Sequence, residues 1–220
     1  MRAMGCGLRR PKGVKMNTAK AASGVYRGDA GTASFRALIQ DMLLRAETLE
    51  WSLQGMGMFR HYLSRDVRLH VWDMRFMAAE VSTIHTHPWD FTSEVLSGLV
   101  VDRLYAREDG VFYTHHEQRI VCGPGGGCTA DPPKPTRLGL PVEHPYPAGE
   151  VYVRRAEEIH ETVARPGTVT VIHRRFKEDT EHASVFYRLD RTWVSAEPRR
   201  ATLDEVRSMA KLALDRWEGT

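Results

Sequence analysis

His85-Thr86-His87-Pro88-Trp89-Asp90-Phe91-Thr92-Ser93-Glu94-Val95-Leu96-Ser97-Gly98 is the stretch on which the fold of this chain turns. His85 and His87 are two residues apart, and on a β-strand that spacing puts both imidazoles on one face. The residues before them, Phe76 to Ile84, read as a strand that can carry the pair. Two neutral imidazoles side by side are ligands for a borderline divalent metal such as Fe(II), Zn, Ni or Mn. Pro88 cannot donate to a strand ladder and turns the chain. Phe91 to Ala106 then reads as one further strand, with Gly98 as a bulge or a point of close backbone approach.

The same texture continues outward. Segments rich in Val, Ile, Tyr, Phe and Thr recur at Met58–Leu63, Val67–Trp72, Met74–Ile84, Val111–Val121, Glu150–Arg155, His160–Arg165, Thr168–Arg175 and Ala183–Leu189. Turn residues separate them at Ser64-Arg65-Asp66, Glu108-Asp109-Gly110 and Pro166-Gly167. Many short strands without intervening helices predict an all-β sandwich or barrel over residues 58–195. Cys122 to Gly149 is a long Pro/Gly-rich excursion, readable equally as a lid or binding loop and as a surface insertion.

Helical spacing brackets the strands. Phe35, Leu38, Ile39, Met42, Leu43, Ala46 and Leu49 form one apolar stripe, with Ser34 as N-cap and Gly55 and Gly57 as stops. This predicts a helix within residues 32–57, packed on the outside of a sheet. Within residues 196–220, Thr202-Leu203-Asp204-Glu205 is a capping box ahead of a stripe of Leu203, Val206, Ala210, Ala213, Leu214 and Trp217. Residues 1–31 carry seven Lys/Arg against the single acid Asp29 and read as a flexible basic tail, with Met16 a second possible start.

The order strand, His-x-His, Pro turn, acid, strand, Gly resembles the first motif of the cupin superfamily, small β-barrels that hold a metal in the barrel mouth. The distance from His87 to Gly98 fits the shorter form of that motif. The family's Glu slot falls at Phe91, and the acids present are Asp90 and Glu94. The motif also resembles that of bacterial and phage cupin-like proteins reading His-x-His-Pro-x-Asp-Phe. The resemblance implies a mainly β fold, a double-stranded β-helix (jelly-roll or cupin barrel) with flanking N- and C-terminal α-helices. It implies a third histidine from a later strand, for which His160 is the candidate, ahead of a Pro-Gly turn and an alternating strand. A fourth ligand is then Asp90 or Glu94; either can instead orient a histidine N–H. The implied activity is Fe(II)-dependent dioxygenase-like oxidation of a small molecule. Cupin isomerase, epimerase or lyase chemistry and a non-enzymatic, metal-stabilised module stay open beside it. A homodimer is the oligomer that the family suggests.

Composition excludes several classes. A net charge of +3 over 220 residues is too small an excess to argue nucleic-acid binding. No apolar run spans a membrane and no secretory pattern precedes the first strand, so a soluble cytoplasmic protein is expected. Cys6, Cys122 and Cys128 make no disulfide framework or zinc knuckle. There is no Gly-x-Ser-x-Gly, phosphate loop, dinucleotide fingerprint or HExxH. His115 and His116 point to opposite faces. His173 reads as a hydrogen-bonded core residue, and His61, His70, His144 and His182 have no partner by spacing. Trp89 stands in the turn and can wall a pocket, while Arg174 and Arg175 read first as a solvated strand end and, as the alternative, as a hold for an anionic substrate at the mouth.

Overall fold

The computed structural model describes residues 29–78, 81–122, 128–177, 182–192 and 198–218. The basic tail up to residue 28, Cys6, Trp193 and the glycine run 123–127 lie outside the described residues.

Helix α1 (Asp29–Leu44) and one 3-10 turn (Ala46–Thr48) lead into β1 (Ser52–Gln54), β2 (Met56–Tyr62), β3 (Val67–Met77) and β4 (Ile84–His85). Then come β5 (Trp89–Ser97), β6 (Leu99–Tyr105), β7 (His115–Cys122), β8 (Cys128–Ala130), β9 (Lys134–Thr136) and β10 (Val142–Pro147). β11 (Val151–Arg154), β12 (Ile159–Ala164), β13 (Val169–Phe176), β14 (Ala183–Arg188), β15 (Arg199–Arg200) and α2 (Leu203–Glu218) come last. The fold is mainly β, in two antiparallel sheets. One runs β11-β5-β13-β3-β2-β1-β15 and the other β10-β6-β12-β4-β14-β7-β8, with β9 beside β7.

Strand alternation builds two cores on the first sheet. Leu69 and Val71 of β3 face the helices, in a cluster with Ile39 and Leu43 of α1 and Val206 and Met209 of α2. Trp72 of the same strand faces the second sheet, in a cluster that draws Phe91, Val95 and Ile172 from one sheet and Val100 and Ala164 from the other. Both α1 and α2 therefore cover one face of one sheet, and the two sheets enclose the second core. Among the described residues no helix is long and apolar enough to cross a membrane.

Several sequence expectations need correction. Helix α1 already includes Ser34 and stops at Leu44, well before Gly55. Beyond it the buried indole of Trp51 donates to the Ala46 carbonyl at 3.0 Å, and Ser52–Gln54 pairs with β2 instead of continuing the helix. Val67–Met77 is one strand and not two. Phe91 to Ala106 is two strands in different sheets, joined at Gly98. Gly98 has φ +84° there, and a Cβ would stand 2.9 Å from Thr168 Cα, so the close approach is real but the strand does not run through it. The Pro/Gly-rich excursion holds β8, β9 and β10. Pro145 and Pro147 are tolerated because β10 is an edge strand. The capping box forms as expected: Thr202 N–H donates to the Glu205 carboxylate at 2.8 Å and Glu205 N–H to Thr202 Oγ1 at 3.3 Å.

Candidate metal centre

The register of β4 and β12 makes His85 and His160 direct cross-strand partners. Paired residues in an antiparallel ladder share a face, so the two imidazoles lie side by side, ring centroids 4.8 Å apart. His87 follows the short strand, and its backbone is held by its own N–H donating to the Ala156 carbonyl at 3.1 Å. Its Nε2 lies 3.2 Å from His85 Nε2 and 3.1 Å from His160 Nε2. One ligand atom from each of the three rings lies within 4.8 Å of the other two.

The outer nitrogens fix the tautomers. His85 Nδ1 sits 2.8 Å from the Thr83 carbonyl, an acceptor, so it carries the proton and leaves a lone pair on Nε2. His160 Nδ1–H donates to Asp102 Oδ1 at 2.9 Å, with the same result. Two lone pairs thus converge on His87. A cation shared by the three rings would relieve their repulsion. Metal–nitrogen bonds of about 2.0–2.1 Å place neighbouring ligand atoms roughly 2.9–3.4 Å apart, which the two closest pairs match. Burial, aided by His160, takes the His85 imidazole down to about 3. Burial, with His85, His160 and Arg68 nearby, holds His87 well below the usual imidazole range. Both imidazoles are therefore neutral at pH 7, the form a metal ligand needs.

Asp102 is the residue that the sequence reading missed. It is fully buried, and Arg154 Nε donates to its other oxygen at 2.6 Å. Arg154 stands on β11 opposite Phe91, in the other sheet, so this ion pair crosses the sandwich. Burial alone would raise the Asp102 carboxyl, but hydrogen bonds from His160 and Arg154 outweigh it and lower the pKa. The available signal was one acid within Leu99-Val100-Val101-Asp102-Arg103-Leu104-Tyr105, at the parity of the apolar Val100 and Leu104. Trp89 walls the cluster. It begins β5 and stacks on His87 with ring centroids 4.0 Å apart.

His85, His87 and His160 are brought together; Asp90 and Glu94 stand outside their group. Asp90 is committed elsewhere, accepting from Ala156 N–H at 2.9 Å and pairing with Arg175 at 2.8 Å and Lys177 at 3.0 Å. Although burial opposes it, these donors take its carboxyl down to about 2. Glu94 pairs with Val171 of the helix-side core, on the face turned away from the histidines. His173 shares that helix-side parity and is exposed, so it is not a core residue. His70 is buried between the sheets, which spacing alone did not reveal. No protein-family model matches the chain, and no curated protein matches it.

Proposed function

We propose that this chain is a jelly-roll protein of the cupin type that holds one divalent metal on His85, His87 and His160. We further propose that it oxidises a small molecule in the manner of an Fe(II)-dependent dioxygenase. The observation that carries the reading is the convergence of three Nε2 atoms, two of them on rings whose Nδ1 meets an acceptor. The strand pairing supports the barrel. β3 with β13, β4 with β12, β5 with β11 and β6 with β10 are nested antiparallel pairs, as in one long hairpin rolled into a double-stranded β-helix.

Three neutral imidazoles on one side of an ion leave positions for O₂ and substrate, which favours Fe(II) over Zn, Ni or Mn as the working metal. Thr83 and Asp102 aim the ligands, and Trp89 and Phe91 shield them from water.

The test is elemental analysis of the purified full chain beside His85→Ala and His160→Ala. Wild type is expected to carry about one metal per chain and the variants close to none. Equal content in all three removes the site. Oxygen uptake by the Fe(II)-loaded chain with small thiols and acids then tests the oxidation. Metal binding without uptake on any of them replaces it with Lewis-acid chemistry.

A further inference from the structure

The histidines occupy one wall of the inter-sheet space. The facing wall, on β2, β3 and β13, is also polar at that end, and nothing in the metal centre uses it. Arg68 and His70 alternate with the helix-side residues of β3. Across the ladder, Tyr62 pairs with Arg68, and Arg60 and Thr170 pair with His70. Arg174 lies two residues beyond Ile172, the partner of Arg68 on β13.

The three guanidiniums gather on one phenol ring. Arg60, Arg68 and Arg174 lie 5.2, 4.8 and 5.7 Å from the centre of Tyr62, which is 46% exposed and marks the opening to solvent. Arg68 and Arg174 also lie 5.4 and 5.5 Å from the centre of Trp89, the indole that stacks on His87. Trp89 thus borders both the arginines and His87.

Among the described residues these arginines lack a carboxylate in ion-pair contact, although Arg68 hydrogen-bonds Tyr62 and Asp66 adds a longer-range attraction at Arg174. None of the ion pairs among the described residues involves Arg60, Arg68 or Arg174. Arg60 donates to Ser52 Oγ and Arg174 to the Arg65 carbonyl, both neutral acceptors. Among the described residues the Nε–H groups of Arg68 and Arg174 are buried without a hydrogen-bond partner, as are both ring nitrogens of His70 and the Thr170 hydroxyl. Burial, with Arg60 and Arg174 adding repulsion, takes the Arg68 guanidinium down to about 9. A solvated charged face would keep its Nε–H groups in water, and a structural ion pair would supply a carboxylate. Crowded like charges with dry, unused donors destabilise the fold, and an anionic ligand removes both penalties.

We infer that Arg68 and Arg174, backed by Arg60, bind the carboxylate of a small organic acid whose other end reaches His85, His87 and His160. The direction of the acid rests on the proposed metal centre; the binding of its carboxylate does not. The unused donors are the Nε–H groups of Arg68 and Arg174, whose guanidiniums lie against the Trp89 and Tyr62 rings, and a carboxylate oxygen is a fitting acceptor for each.

The experiment is calorimetric titration of the chelator-treated full chain with benzoate, succinate and inorganic phosphate, and with succinamide as the neutral control. At least one carboxylate is expected to bind and succinamide not to. Arg68→Met and Arg174→Met should each weaken that carboxylate by about 10- to 100-fold. Without ligand, Arg68→Met should melt about 2–4 °C higher, because a crowded charge is gone; an arginine that merely supports the fold would do the opposite. The proposal falls if neither carboxylate binds, if phosphate binds more tightly than both, or if neither variant weakens binding. Because the protein is metal-free, carboxylate binding in a chain that holds no metal sinks the metal centre alone. A metal-loading chain that ignores carboxylates sinks this inference alone.

Discussion

The two faces of β3 lie a single side-chain alternation apart and have different chemistry. Leu69 and Val71 look toward α1 and α2 into a core of Ile39, Leu43, Phe59, Val171 and Met209, all apolar and at most 1% exposed. Arg68 and His70 look the other way, where His70 is nearly as deeply buried but finds no hydrogen-bond partner among the described residues. The helix-side layer supplies hydrophobic stabilisation, and that surplus is what lets the inter-sheet face hold groups that are poor at stabilising anything.

The sharpest test of that division is Asp102→Asn, which keeps the shape and removes the charge. It leaves Arg154 without its ion pair, and a loss of about 3–5 kcal/mol is expected in urea unfolding. Metal affinity should fall about 10- to 100-fold in direct titration, because the amide offers His160 and Arg154 one neutral acceptor oxygen where each had its own charged one. Leu69→Ala on the opposite face should cost about 2–5 kcal/mol and leave metal content as in wild type. A change in metal content would show that the two faces are not separable.

His70→Leu should be neutral or stabilising by up to about 1 kcal/mol, since it replaces an unsatisfied buried polar group with an apolar one. A clear loss would put structural weight on the inner face. Acidity offers a further probe. His85 sits at about 3 in the fold, against about 6.5 in an unfolded chain, and His87 and His70 are shifted the same way. Between those values the unfolded chain takes up protons that the fold refuses. Stability of the metal-free protein is therefore complete above about pH 6.5 and is lost as pH falls toward about 3. Asp90 and Glu205, both at about 2 in the fold against about 4 in an unfolded chain, add to the loss in the same direction as pH falls through that lower range. Urea midpoints at about pH 7.5 and about pH 4.5 should differ in that direction, and His70→Leu should flatten the difference. The smallest effect belongs to Glu94→Gln, which should change neither metal content nor, beyond about 0.5 kcal/mol, stability.

Much of this was legible from side-chain periodicity. The β-rich middle, the helices at either end and the Thr202–Glu205 cap follow from local rules that tertiary structure did not override. His85 and His87 could be paired because their relation is local. His160 could be reached only by resemblance, since a β4–β12 register is a fact about residues 75 positions apart. Asp102 stayed hidden for a similar reason. A lone acid in an apolar strand signals a buried charge, but its partners Arg154 and His160 come from separate strands in different sheets. Gly98 was singled out correctly as a special position, yet its sequence does not distinguish a bulge from a corner where the chain changes sheets. β10 escaped notice because its prolines are excluded from central strands, and whether a strand lies at an edge is settled only by its neighbours.

The bond between Arg154 and Asp102 has a mechanical side. It clasps the two sheets together at one end, and the same carboxylate grips the ring at position 160. An ion seated on that ring would tighten the clasp, so filling the centre and closing the sandwich become one thermodynamic act. The lifetime of the folded chain against a protease would then rise with the free concentration of the ion, even where no substrate is present.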